Sequence, residues 1–394
     1  MAEQRKQKNP FAERALELHR ELHGKIEVVP KRPIRSRDDL SLMYTPGVGA
    51  VSSYLAEHPD ETRQYTMKGN TVAVISDGSA VLGLGNLGPE PMLPVGEGKC
   101  VILKTFANVN AVPIMLATHD PREMIETIVN IAPTFGGIIL EDIAAPQCFE
   151  IEDELKRRLT IPVMHDDQHG TAIVVLAGLI NAFRAVRKNI KQGKIAIVGA
   201  GAAGAAVARI LLLYGVSDVV LLDRGGIIGV HRANLVSYKS ELARITNPRG
   251  LTGGIEQALT GADAVIGVSG PGLITAEQVS RMAQDAIVFA LANPIPEIMP
   301  DEALRGGANV VATGRSDFPN QVNNSLAFPG VFRGALDHGV RMITDEMKVR
   351  AAEHLARLVP NPTPERIIPF AFKEGVVPEE VDERVSAAVA EAIR

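Results

Sequence analysis

At 394 residues the chain is longer than one hydrophobic core usually supports, and a rule of about 150 residues per domain predicts two units. A net charge of -5 with 46% hydrophobic and 22% charged residues describes an ordinary globular protein, without the basic stripe that nucleic acid needs. The longest apolar segment, TAIVVLAGLI, is ten residues and too short to span a bilayer, and two cysteines, Cys100 and Cys148, are too few for a disulfide framework. These features predict a cytoplasmic chain with neither a membrane nor a nucleic-acid partner.

Taken in order, the opening MAEQRKQKNP is polar and reads as a solvated tail rather than a signal peptide. A helical pattern follows in FAERALELHRELHG, with Ala15, Leu18 and Leu22 on one face and Gly24 at the stop, and the Pro-punctuated PKRPIRSRDDL reads as a loop. Strand-like runs are TVAVIS (71–76), CVILKTF (100–106), VPIML (112–116), GGIIL (136–140) and IPVMH (161–165), with helical patterns at 122–131 and 148–159. After a long apolar helix from Gly170 to Lys188 the alternation restarts with KIAIVG, DVVLLD, DAVIGVS, AIVFALAN and NVVATG, and the end turns helical at 333–340, 345–358 and 378–393.

Strands alternating with helices predict an α/β fold in two domains, each a mostly parallel sheet flanked by helices. The division is expected at 1–165 and 166–394, with the last helices packing back on the first domain.

KIAIVGAGAAGAAVARILLLYG places G-x-G-x-x-G at Gly199, Gly201 and Gly204, after a strand and opening a helix. The first glycine permits the tight turn, the second lets a pyrophosphate approach, and the third lets helix and strand pack closely. The N–H groups of Ala202, Ala203 and Gly204 then face the phosphates. Asp223, ending DVVLLD, stands where an acid holds the adenosine ribose, which favours NAD over NADP, although Arg224 beside it is suited to a 2'-phosphate. A Rossmann-type, dinucleotide-binding second domain is the expectation.

Two acidic pairs, Glu141–Asp142 and Asp166–Asp167, each stand where a short apolar strand ends. In a parallel sheet both would lie on the edge where ligands bind, and oxygen-only donors there suit Mg²⁺ or Mn²⁺. Turn and helix-cap chemistry accounts for the same residues equally well. Side chains alternate along a strand, so Glu141 and Asp142 can share a cation only if the chain turns directly after Leu140. Tyr44 precedes a Pro-Gly turn, and Lys99 lies in a Gly-flanked stretch read as a loop before the strand CVILKTF. A desolvated lysine can act as general base and a tyrosine as general acid, and either is also an ordinary surface residue.

YTPGVG, DGSAVLGLGNLGP, GEGK, LEDIAAPQCFEIE, HDDQHGTA, VGAGAAG, ALANPIPEI and FPNQVNNSLAFPGVFRGALDHG, in this order, resemble the malic enzyme family in its short microbial form. The resemblance implies oxidative decarboxylation of (S)-malate to pyruvate and CO₂, with NAD or NADP reduced and a divalent cation required. It implies Glu141, Asp142 and Asp167 as metal ligands, Lys99 as base, Tyr44 as acid and Asp166 as the group that sets the lysine's charge. Asn293, which would also contact the cofactor, and Asn324 with Asn323 are implied as substrate contacts. One departure is Ala80, where larger members carry an arginine, so the substrate carboxylate needs another anchor such as Ser79, backbone N–H groups or an arginine from elsewhere. A malolactic or oxaloacetate-decarboxylating relative and a non-enzymatic NAD-binding regulator are the rival readings. The long irregular segment carrying Tyr44 predicts a homodimer interface.

Overall fold

The computed structural model describes residues 11–81 and 84–394, so the expected solvated tail at 1–10 and part of the DGSAVLGLG motif lie outside the described residues. The N-terminal segment forms α1 (Ala12–Leu22), α2 (Arg37–Met43), α3 (Gly47–Glu57) and the short α4 (Thr62–Tyr65). Residues 37–40, expected as the end of a loop, are instead the start of helix α2, which Ser36 caps with its hydroxyl accepting from the Asp39 N–H.

A first α/β unit then runs β1 (Thr71–Ser76), α5 (Pro89–Ala107), β2 (Asn110–Met115), α6 (Pro121–Ile131), β3 (Gly137–Leu140), α7 (Gln147–Arg158) and β4 (Val163–His165). Its strands are all parallel in the order β2-β1-β3-β4. β1 and β3 are buried along their whole length, as strands covered on both faces must be. The expected strand CVILKTF is instead the second half of helix α5, so Lys99 stands within a helix rather than in a loop. Pro89 and Pro91 are tolerated in its first turn and its apolar run is a buried helix face, which periodicity over seven residues cannot distinguish from a strand.

Helix α8 (Asp166–Ala185) starts directly after β4 and leads into β5 (Lys194–Val198), α9 (Ala202–Tyr214), β6 (Asp218–Asp223), β7 (Gly226–Ile227), α10 (Ser237–Ile245) and α11 (Ile255–Leu259). Next come β8 (Ala264–Gly267), α12 (Ala276–Ser280), β9 (Ala286–Ala290), α13 (Pro300–Arg305) and β10 (Ala308–Thr313). The order β10-β9-β8-β5-β6-β7 is that of a doubly wound dinucleotide-binding sheet, with only β7 antiparallel, and its topological switch lies between β5 and β8.

The chain closes with α14 (Phe328–Asp337), α15 (Asp345–Arg357) and α16 (Glu383–Ala392). These helices do reach back to the first sheet: the Ser386 hydroxyl donates to the Phe106 carbonyl at 2.5 Å, and Arg333 donates to Asn70 at 2.6 Å. One apolar core consequently runs from Val72 and Leu103 through α8 to Ile195, Phe289 and Val389. Among the described residues no helix is long and apolar enough to cross a membrane.

Candidate active site

The chain turns directly after β3. Asp142 takes φ +50°, a left-handed conformation, so the alternation of a strand is broken and Glu141 and Asp142 no longer point to opposite faces. From the neighbouring strand end, Asp167 in the first turn of α8 accepts a hydrogen bond from the Asp142 N–H at 2.8 Å. One carboxylate oxygen from each of Glu141, Asp142 and Asp167 then falls within 4.8 Å of the others.

Lys99 reaches into this cluster from α5, pairing with Asp166 and standing 3.0 Å from Glu141 Oε1. The Phe328 ring lies beneath the ammonium at 4.4 Å. Burial opposes the charge on Lys99, but Asp166 and Glu141 outweigh it and hold the lysine above its usual range. Burial raises both Glu141 and Asp166 above the ordinary carboxylate range, against the pull of Lys99. Glu141 Oε2 and Asp166 Oδ1 are buried without a hydrogen-bond partner, an arrangement that leaves net negative charge unanswered. Three close carboxylates offering only oxygen fit a hard divalent cation such as Mg²⁺ or Mn²⁺.

The two histidines beside the pair stay outside. His169 is held by Glu152 at 2.9 Å and pushed down to about 4 by burial, while His165 lies 3.6 Å from Asp167 with its ring nitrogens unpartnered.

At the second sheet, Gly199 has φ +120° and Gly201 is the N-cap of α9, so Ala202, Ala203 and Gly204 open that helix with free N–H groups. A Cβ on Gly204 would stand 1.8 Å from the Gly199 carbonyl, whereas one on Gly201 would meet nothing within 4 Å. The loop is thus closed on the side that faces the strand and open at Gly201. Ala202 also packs on the core beneath the first sheet, which puts this loop at the junction of the two sheets. Asp223 ends β6 as expected, but its carboxylate binds Arg232 at 2.7 Å and Lys239 at 2.6 Å. Those cations weaken the argument that Asp223 alone repels a 2'-phosphate.

Asn324 stands beside Asp166, since both approach the space a Gly170 Cβ would fill, at 3.1 Å and closer. Asn323 turns away: it caps the turn at 324–326 by accepting from the Ser325 N–H and donates to the Gly314 carbonyl. Asn293 is exposed beyond β9, next to Gly314. Ser79 is committed, donating to Asp77 and accepting from the Ala144 N–H, so its hydroxyl is not available as a carboxylate anchor. Tyr44 is not brought to the cluster; it is 65% exposed at the end of α2.

Sequence reasoning passed over Glu152 and Glu297. Glu152 accepts from the His165 N–H and from Gln168, and so joins the end of β4 to α7. Glu297 accepts from the Ser269 and Ala292 N–H groups and joins the turns after β8 and β9. The available signal was an acid inside the apolar stretch IPEIM; Glu152 sits in an ordinary charged helix and carried none.

A doubly wound sheet with a glycine-rich phosphate loop, joined to a strand-end cluster of lysine and carboxylates, defines a dinucleotide-dependent oxidoreductase of a small polar substrate. The family models for the malic enzyme N-terminal domain and NAD-binding domain match residues 23–156 and 168–393, and the chain belongs to the malic enzyme family. It is 50% identical to the bifunctional malic/malolactic enzyme of Bacillus subtilis (strain 168), over 97% of this chain and 92% of that protein. It is 45% identical to the NADP-dependent malic enzyme of Halomonas elongata, over 96% and 92%. The crystal structure of the NAD-dependent malic enzyme of Thermotoga maritima superposes with a TM-score of 0.91 at 48% identity, covering 96% of this chain and 98% of that one.

Proposed function

We propose that this chain oxidatively decarboxylates (S)-malate to pyruvate and CO₂ while reducing NAD or NADP, with Mg²⁺ or Mn²⁺ held by Glu141, Asp142 and Asp167, and that it also decarboxylates oxaloacetate. The observation that carries this reading is Lys99 set between Asp166 and Glu141 at the carboxylate cluster. When bound, the cation would polarise the C2 oxygen and the dinucleotide would take the C2 hydride.

Lys99 acts as base. Its neutral form arises by passing a proton to Asp166, with which it is in contact, and it then accepts the proton of the C2 hydroxyl. Asn324, beside Asp166, and Asn293 hold the substrate, with Asn323 supporting the turn that carries Asn324. After CO₂ leaves, the C3 carbon of the enolate takes a proton from Tyr44. Gly199, Gly201, Ala202, Ala203 and Gly204 receive the pyrophosphate, and Asp223 receives the ribose hydroxyls, a preference for NAD that the neighbouring Arg232 and Lys239 moderate. Residues 1–165 and 166–394 form the substrate and cofactor units of a cytoplasmic homodimer, and buried free cysteines agree with a reducing compartment.

The test is the absorbance of reduced nicotinamide with malate, each cofactor in turn and Mn²⁺, with and without a chelator. Strong signal that the chelator abolishes is expected; signal indifferent to chelation sinks the cation. The Bacillus subtilis relative, a malic/malolactic enzyme by name, favours one second reading, conversion of malate to lactate. Malate consumption with no net reduced nicotinamide would select it.

A further inference from the structure

We propose that the cavity enclosed by α7, α9, α10 and α15 binds an α-amino acid with a large apolar side chain, and that this occupant tunes dinucleotide affinity. The cavity measures about 760 Å³, within the range of small-ligand sites. Neither Lys99 and its carboxylates nor the glycines of the phosphate loop line it, so it lies outside the site described above. Helix α8 stands between the two. Its first turn gives Asp167 to the carboxylate cluster, while the next residues, Gln168 and His169, line the cavity.

Charge in the cavity is sorted by depth. Lys348 of α15 is buried, only 4% exposed, and donates to Asp345 at 2.7 Å, whose carboxylate is 70% exposed at the mouth. Glu152, the buried carboxylate of the lining, is already spent. It accepts from the His165 N–H and Gln168 and is paired with His169 and Lys156, which gives four donors for about four lone-pair sites. Burial, together with neighbouring Lys156, therefore holds Lys348 below its usual range. The other acids of the lining, Glu150, Asp153 and Glu241, stand exposed around the opening.

An ammonium at the floor and carboxylates at the mouth select the ligand. A simple cation is repelled by Lys348, and a phosphate or dicarboxylate dianion is repelled by the acids of the rim. A zwitterion satisfies both ends. Its carboxylate takes Lys348 and its ammonium takes Asp345, so the head group inserts between two side chains that already pair one charge of each sign. The body of the ligand rests on an apolar wall. Phe149 of the first unit and Tyr238 of the second meet there with ring centres 4.8 Å apart, and Ile210 and Leu213 of α9 continue the surface. A small polar amino acid would leave that wall uncovered, whereas an aromatic one fills it. The same tyrosine reaches the cofactor side, because its hydroxyl donates to the Ala200 carbonyl at 2.9 Å, between the first two glycines of the phosphate loop. A ligand stacked on Tyr238 bears on that loop, and by linkage the dinucleotide and the amino acid alter each other's affinity by the same factor.

The probe is L-tryptophan, because the chain contains no tryptophan and the fluorescence anisotropy of the ligand reports its binding directly. Saturable binding to the wild-type protein is expected. Lys348→Met, which replaces a buried cation by an apolar side chain of similar length and so keeps the fold, should weaken it about tenfold or more. Asp345→Asn, at the exposed mouth where folding is not at stake, should weaken it several-fold. N-acetyl-L-tryptophan and tryptamine, each lacking one of the two charges, should both bind more weakly than tryptophan. No binding of tryptophan, or binding untouched by either substitution, rejects the site. N-acetyl-L-tryptophan binding as tightly would make this a site for a plain anion, and tryptamine binding as tightly a site for a cation; either result overturns the zwitterion. The link to the phosphate loop is read by calorimetric titration of NAD or NADP. Saturating tryptophan should shift the affinity of the wild-type protein by about threefold or more and leave that of Lys348→Met unchanged. An unshifted wild-type affinity overturns the coupling.

Discussion

Lys99 is a cation held by two carboxylates that have almost no water, so its removal leaves Glu141 and Asp166 to neutralise by protonation rather than to unfold the sheet. Lys99→Ala is therefore expected to fold and to bind dinucleotide normally by fluorescence titration, because the phosphate loop belongs to the other sheet, while turnover falls roughly 10²–10⁴-fold. Retention of most turnover would reject the base assignment. Asp223 gives a second expectation. Replacing it with Ser frees Arg232 and Lys239 for a 2'-phosphate, so the ratio of kcat/KM for NADP over NAD should rise roughly tenfold. An unchanged ratio would mean that the two cations do not face the ribose. Burial pushes Cys100 up to about 12 and Cys148 higher still, so neither thiol is ionised near pH 8 and iodoacetamide should label both only on unfolding. Residue types at strand ends made the carboxylates legible in the sequence, but their convergence was not. That depends on the left-handed backbone of Asp142, which no pattern of apolar residues announces.

Helix α5 shows where reading by element fails. Its first half carries Pro89, Pro91, Pro94, Gly96 and Gly98, which reads as a loop, and its second half is a short apolar run that suits a strand equally well. Burial decides: Met92, Gly96, Lys99, Cys100, Leu103 and Ala107 fall on one helical face, and at Gly96 that face lies so close to β2 that a Cβ would displace the end of the Met115 side chain. Both edges of β1 were legible because a fully buried parallel strand leaves an uninterrupted apolar run. The phosphate loop separates two kinds of glycine in one motif. Gly204→Ala drives a Cβ into the Gly199 carbonyl and should lower stability by about 2–4 kcal/mol in urea unfolding. Gly201→Ala meets open space and has φ of -83°, which any residue adopts, so stability should hold while KM for the dinucleotide rises several-fold. Equal effects at both positions would show that the loop does not receive the pyrophosphate.

At the scale of the whole molecule, the two sheets share one core, and α14, α15 and α16 close it. Helix α14 lies close to α16 because it presents glycine: a Cβ on Gly330 would stand 2.5 Å from the Ser386 carbonyl, and one on Gly334 2.4 Å from the Ala390 carbonyl. Both obstacles are backbone, which cannot swing aside as a side chain can. α16 in turn seats Val389 and Ile393 in the core that contains Val72 of the first sheet and Leu103 of α5, and Ser386 bonds to the end of α5. The sequence suggested this return only as a possible packing of late helices, since a contact between residues nearly three hundred positions apart leaves no local pattern. Gly334→Leu should lift α16 from its seat and cost about 1–3 kcal/mol by overpacking. With that strap loosened, the calorimetric trace should broaden from one cooperative transition toward two, as the sheets lose their common cover. A single transition at unchanged temperature would mean that α8 alone couples the sheets and that α16 is dispensable to the core.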